Sequence, residues 1–278
     1  MHIYRSNSQV IVGHNNNFYT SESWSWDAFI NRHNLYQQVL TDLNFAQTDN
    51  GLAQLVNEAH APVSKQEVWA SGVTYLRSRE ARINESKDAG GGDFYAKVYN
   101  AERPELFFKS APHRVVGCHQ PVRIRKDSQW NVPEPELTLF ICSEGTIEGY
   151  TVGNDMSSRG IEGENPLYLP QAKSYDGATA LGPCLYVPES PISPETVIHL
   201  EIVRSSEVVF SDEIKINRMK RMHTELAGYL TREMSFPDGV FLMTGTGIVP
   251  PDTFTLNAGD TIKIRIDNIG TLINTVNI

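Results

Sequence analysis

The sequence predicts an α+β chain that is mainly β. From Arg114 to the C-terminus most apolar segments alternate at period two, the signature of half-buried strands. One strong stripe at three- and four-residue steps (Met219, Met222, Leu226, Leu230, Met234) interrupts them as an amphipathic helix. The first sixty residues differ in texture, which sets a small N-terminal domain over 1–62 apart from a larger unit over 63–278.

Taken in order, residues 1–62 hold short alternating pieces, an Asn run at 15–17 and a helix around Asn34–Leu43. A turn-like Ala-Pro-Val-Ser at 61–64 marks the boundary. Residues 68–75 read as a strand broken by Gly72, residues 76–86 as a polar helix, 90–92 as a triple-glycine hinge and 94–102 as a second short helix. Two polar helices about a glycine hinge suit a mobile lid or an ordinary surface excursion. Further strands fall at 114–117, 122–125, 136–141, 147–153 and 184–187, and residues 197–216 form a hairpin turning near Ser205–Ser206. The helical stripe stops at Phe236-Pro237-Asp238-Gly239. Residues 240–243 then lead into Thr244-Gly245-Thr246-Gly247, and alternating strands over 261–276 close the chain.

The net charge of −9 argues against a nucleic-acid surface, which needs clustered Lys and Arg. The one basic run, 217–221, reads as a solvated helix face. Cys118, Cys142 and Cys184 are isolated and lack CxxC spacing, which fits a reducing, cytoplasmic setting and neither a disulfide framework nor a zinc site. No signal-peptide pattern opens the sequence, and no stretch approaches the roughly 20 apolar residues of a membrane helix.

Glu134, Glu136 and Asp155 form the constellation with the most chemistry. Two-residue spacing on a strand turns Glu134 and Glu136 to one face. Pro133 and Pro135 remove ladder donors, so this strand should start at a sheet edge or rim. Asp155 follows a second alternating segment. Singly, each acid could be an exposed strand carboxylate, a turn residue or an N-cap. Together they would repel unless a cation lay between them, and oxygen ligands without His or Cys suit Mg²⁺, with Mn²⁺ or Ca²⁺ as substitutes.

Four motifs recur in order: PEPEL at 133–137, GYTVGNDMSSRG at 149–160, AKSYDGATALGP at 172–183 and TGTG at 244–247. This succession resembles the fumarylacetoacetate hydrolase superfamily, from about Gln66 to the C-terminus. The resemblance implies a mixed β-roll catalytic fold and a homo-oligomer. It also implies a divalent metal on Glu134, Glu136 and Asp155, with Lys173 beside it. Arg159 and Thr246 take the places of substrate-binding residues, and Arg79, in the polar helix, is a third substrate-side candidate. The flanking words, among them RPELFFK, are similar to the sugar-acid dehydratase branch, where the acid at Glu105 belongs to the active site. The hydrolases and decarboxylases of the superfamily often carry a water-activating His before the metal ligands, and residues 61–112 contain none. His113 and His119 lie just beyond. Gly160 departs from the pattern, standing where relatives commonly carry an acid.

The implied activity is a Mg²⁺-dependent hydro-lyase on 2-keto-3-deoxy sugar acids, giving 2-oxoglutarate semialdehyde from a pentonate. In that scheme Lys173 serves as base near C3, its pKa lowered by the cation, and Glu105 as acid at the C4 hydroxyl. The alternatives are a hydrolase of C–C bonds in diketo acids, a decarboxylase or isomerase on the same site, and a binding protein without catalysis.

Overall fold

The computed structural model describes residues 1–6, 9–85 and 97–278. The triple-glycine hinge and the start of the second polar helix lie outside these residues. The early strands are β1 (His2–Arg5), β2 (Val10–His14), β3 (Asn17–Thr20) and β4 (Gln47–Thr48), then β5 (Glu67–Gly72) and β6 (Glu105–Ser110). Short β7 (Val115–Val116), β8 (Val122–Arg123) and β9 (Asn131–Val132) lead to β10 (Pro135–Ile141), β11 (Ile147–Asp155), β12 (Ser157–Ser158) and β13 (Thr179–Tyr186). The last are β14 (Val197–Arg204), β15 (Glu207–Lys215), β16 (Val240–Met243), β17 (Thr261–Ile266) and β18 (Gly270–Asn277). Six helices have both ends described: α1 (Trp26–Ile30), α2 (Leu35–Leu43), α3 (Leu76–Glu85), α4 (Arg159–Glu164), α5 (Leu169–Lys173) and α6 (His223–Leu230).

The larger sheet runs β4-β3-β2-β1-β13-β11-β10-β16-β5-β6, with β7 beside β13, and the smaller runs β15-β14-β17-β18-β8. β1 pairs with β13 through His2↔Tyr186 and Ile3↔Leu185, so the first strands continue the large sheet. One core layer lies between the sheets, where Leu137, Leu139 and Ile141 of β10 meet Ile198, Leu200 and Ile264. On the other face Phe140, Phe241 and Leu185 pack against Trp26, Phe29 and Ile30 of α1 and Leu35 of α2. β10 is buried along its whole length, which explains its near-continuous apolar run. Each such side chain taken out of water contributes about 1.5–3 kcal/mol.

The prolines sit at a rim, as expected, though β10 is a central strand. β11 pairs from Pro135 onward, while β16 joins only at Thr138↔Met243. Glu134 and Asp155 exchange both backbone hydrogen bonds, at 3.2 and 2.9 Å. The next residue, Pro135, therefore turns its nitrogen away from β11, toward the side where β16 has not begun.

The hairpin is as expected: Ser205 and Ser206, with φ of 49° and 69°, make the left-handed turn between β14 and β15. The helical stripe is corrected. α6 covers only residues 223–230; Leu226 and Leu230 are buried, Met222 is exposed, and Met219 and Met234 lie outside the helix. Residues before it use their backbone elsewhere. Lys220 N–H donates to Thr74 O at 2.9 Å and Met219 bridges to Tyr75, so tertiary pairing overrides the periodicity. The basic run thus precedes the helix and is no helix face. Among the described residues no helix is long and apolar enough to cross a membrane.

Candidate active site

Register builds the acidic cluster. Asp155 lies directly opposite Glu134 across the β10–β11 ladder, and Glu136 lies one pleat further on the same face of β10. All three are buried, and one carboxylate oxygen from each lies within 4.8 Å of the others. Mg²⁺ with oxygens at about 2.1 Å holds ligands no more than about 4.2 Å apart, which small side-chain rotations reach from this spacing. The donor set is all oxygen, as Mg²⁺ prefers.

Cations surround the acids. Lys173, the last residue of α5, donates from Nζ to Glu134 Oε2 at 2.8 Å, to Asp155 Oδ2 at 3.0 Å and to Ser157 Oγ. Arg159 opens α4 and places Nη2 3.4 Å from Glu134 Oε1. Lys109 of β6 is fully buried; its Nζ stands 2.6 Å from Asp155 Oδ1 and donates to the carbonyls of Met156 and Lys173. Burial lowers the pKa of the Lys109 ammonium, and Asp155 partly opposes that shift. Burial would raise the Asp155 carboxyl, but Lys109 and Lys173 outweigh it and hold it below its ordinary value. Glu136 shifts the other way. Burial, then Asp155 and Glu134, push its carboxyl well above the usual range, against the pull of Lys173 and of the Gly245 N–H that donates to it at 2.6 Å. A divalent cation at the cluster would reverse that shift.

The Thr-Gly-Thr-Gly segment follows β16. Gly245 has φ +90°, and a Cβ there would lie 2.1 Å from Thr74 Oγ1, so glycine is required where the backbone turns its N–H to Glu136. Thr246 hydrogen-bonds to the backbone of Ile248 and lines a small cavity with Val73, Phe107, Glu134, Asp155, Arg159 and Lys173. Val73 has φ +53°, a strained conformation for a β-branched residue. Thr74 Oγ1, which donates to Thr244 O at 2.7 Å, ties that turn to β16. Glu105 begins β6 opposite Gly72, and its Oε2 lies 2.0 Å from where a Cβ on Gly72 would be. Gly72 lines the cavity, so Glu105 sits at its border.

The structure thus gathers Glu134, Glu136, Asp155, Lys173, Arg159 and Thr246, with Glu105 adjacent. Arg79 is set apart: its guanidinium lies 5.4 Å from the centre of the Tyr99 ring, one position along α3 from the cavity-lining Ser78. The sequence reading did not single out Lys109, Ser157 or Phe107. A signal existed for two of them. In ELFFK, period two puts Glu105, Phe107 and Lys109 on one side of β6, and a lysine inside an apolar strand needs a partner.

A family model described as "Fumarylacetoacetate (FAA) hydrolase C-terminal" matches residues 68–277. The chain belongs to this family. A Haloferax volcanii protein named probable 2-keto-3-deoxyxylonate dehydratase is 47% identical over 219 residues, which is 78% of this chain and 74% of that protein. A Saccharolobus solfataricus 2-dehydro-3-deoxy-D-arabinonate dehydratase is 44% identical, over 77% of this chain and 73% of that protein. Among solved structures, a 2-keto-3-deoxy-D-arabinonate dehydratase complexed with magnesium and 2,5-dioxopentanoate superposes with a TM-score of 0.85. It is 34% identical, over 100% of this chain and 99% of that one. The mainly β architecture expected for the family is the one observed.

Proposed function

We propose that this chain is a Mg²⁺-dependent dehydratase of 2-keto-3-deoxy sugar acids, converting 2-keto-3-deoxy-D-arabinonate (equally, D-xylonate) to 2,5-dioxopentanoate, which is 2-oxoglutarate semialdehyde. One observation carries the reading: over its full length the chain superposes on a dehydratase described with Mg²⁺ and that product, and it keeps a buried three-carboxylate cluster. Glu134, Glu136 and Asp155 would hold the cation. Bound there, it supplies charge stabilisation at the keto oxygen of the substrate.

The protein's own groups do the rest. Lys173, which donates as an ammonium to Glu134, Asp155 and Ser157, would give up one proton as a divalent cation takes over those carboxylates, and its amine then takes the C3 proton. Glu105, at the border of the cavity, gives a proton to the C4 hydroxyl as it leaves as water, and the 3,4-alkene left behind tautomerises, its C5 and hydroxyl protons ending on C3 and C4, to give the semialdehyde. Arg159 and Thr246 bind and orient the acid, with Arg79, next to the cavity-lining Ser78 on α3, as a further substrate-side candidate. Phe107 and Val73 supply apolar wall and keep water from the reacting carbons. Residues 1–62 act as a small packing domain, and the enzyme works in the cytoplasm as a homo-oligomer.

The test is a panel of 2-keto-3-deoxy and diketo acids with detection of the semialdehyde. EDTA is expected to abolish turnover and Mg²⁺ to restore it. Lys173→Ala and Glu105→Gln are each expected to lose at least about 100-fold in kcat. Two carbon fragments from a diketo acid, or near-normal turnover in both variants, would overturn the reading.

A further inference from the structure

The basic run before α6 lies at the crossing of both limbs of the excursion that leaves β5 and returns at β6. On the outgoing limb, Lys220 N–H donates to Thr74 O at 2.9 Å and Met219 bridges to Tyr75. On the returning limb, Arg221 donates from Nη1 to Glu102 O at 2.9 Å. Its Nη2 donates to Ala101 O at 2.6 Å and Val98 O at 3.4 Å. These carbonyls end the helical residues 97–100, where intrahelical donors run out and the helix dipole favours a cation. Lys220 adds a bond to the Tyr99 carbonyl, and its Nζ lies 4.4 Å from the centre of the Tyr99 ring. Arg79 of α3 stands over the same ring, so α3 is tied to this point as well.

Arg221 is only 8% exposed, and Glu225 Oε1 at 2.6 Å balances its charge. Such a buried guanidinium is no solvated surface group. Its planar fork reaches several carbonyls at once, which a lysine cannot copy. Three residues past Glu102 the chain becomes β6, whose first residue is Glu105.

We propose that Arg221 is a positioning residue. By clamping the carbonyls of residues 98–102 to the segment that also binds Thr74, it fixes where Glu105 stands at the border of the carboxylate cavity. The inference rests on the dehydratase reading for the task it gives Glu105. The clamp itself touches neither the acidic cluster nor Lys173, so its loss acts on the excursion and leaves metal binding intact.

The experiment compares wild type, Arg221→Ala and Arg221→Lys in steady-state kinetics with saturating Mg²⁺. Mg²⁺ titration and hydrogen exchange of the amides at 97–105 accompany the kinetics. Misplacing a catalytic group by about 1 Å can cost on the order of 100-fold. Arg221→Ala is therefore expected to lose about that much in kcat, with KM within about threefold and Mg²⁺ affinity unchanged. Exchange is expected to rise at 97–105 and to stay fixed in β10 and β11. Millimolar guanidinium is expected to restore part of the kcat of Arg221→Ala, and Arg221→Lys is expected to fall between. A kcat within threefold of wild type overturns the proposal, as does unchanged exchange at 97–105 or a loss of Mg²⁺ affinity equal to the loss in kcat. Absence of dehydration by wild type would instead count against the dehydratase reading, and the exchange data would still decide whether Arg221 holds the segment.

Discussion

Lys109→Met removes an ammonium that stands 2.6 Å from Asp155 and keeps most of the apolar stem. Lys109 is fully buried and Asp155 is 1% exposed, so water screens neither charge. Removing one member of a buried pair costs about 3–5 kcal/mol, because the survivor stays desolvated and uncompensated. Asp155 keeps Lys173 at 3.0 Å, which places the loss near the lower end, about 3 kcal/mol. The carbonyls of Met156 and Lys173 lose a donor in the same substitution. For a chain of this size such a loss lowers the melting temperature by about 6–12 °C. A divalent cation at the acidic cluster returns positive charge to Asp155, so the deficit is expected to shrink in saturating Mg²⁺. Thermal unfolding of wild type and variant, each in EDTA and in Mg²⁺, measures both effects. A drop below about 2 °C in EDTA, or the same drop in both conditions, would refute the reasoning.

Other consequences are equally open to measurement. Burial, Asp155 and Glu134 raise the Glu136 carboxyl and so favour its protonated form, against which a binding cation competes. Mg²⁺ affinity is therefore expected to climb with pH, and calorimetry in buffers of differing ionisation enthalpy should detect a released proton; none released would contradict this. Gly245→Ala forces a Cβ to 2.1 Å from Thr74 Oγ1 at φ +90°, so it is expected to cost about 1–3 kcal/mol and to weaken Mg²⁺ binding through the displaced N–H. Unchanged melting temperature and unchanged affinity would show that the turn relaxes freely. Burial lowers the pKa of His223, beside the Tyr150 ring, from 6.5 to about 4. A depressed folded-state value means its contribution is whole above pH 6.5 and is lost as pH falls toward 4, up to about 3 kcal/mol. His223→Phe should flatten that stretch of a denaturant-derived stability curve, and an unaltered slope would exclude the assignment.

The acidic cluster was legible because it depends on local register. Spacing alone sends Glu134 and Glu136 to one face of a strand, and the order of four motifs marks Asp155 and Lys173 as their companions. The hairpin at Ser205–Ser206 was legible for the same reason: alternation on both sides of a short polar turn leaves few other solutions. The stripe ending in Met234 misled, since a period of three to four describes only what a segment would do alone. Residues 219–221 instead hydrogen-bond to Thr74, Tyr75 and the carbonyls of 98–102, contacts between residues more than a hundred positions apart.

The sequence by itself determined the mainly β class, the family, the oxygen donor set and the residue types that suit Mg²⁺ and proton transfer. Only the tertiary structure decided that Asp155 stands opposite Glu134, that Lys109 shares Asp155 with Lys173, and that Arg79 lies on Tyr99. It also turned Arg221, at the end of the basic run, from a solvated side chain into a buried clamp. The physical reason is range. Side-chain periodicity and donor chemistry are properties of a few consecutive residues. Desolvation and charge pairing depend on which distant strands the packing brings within about 3 Å of each other.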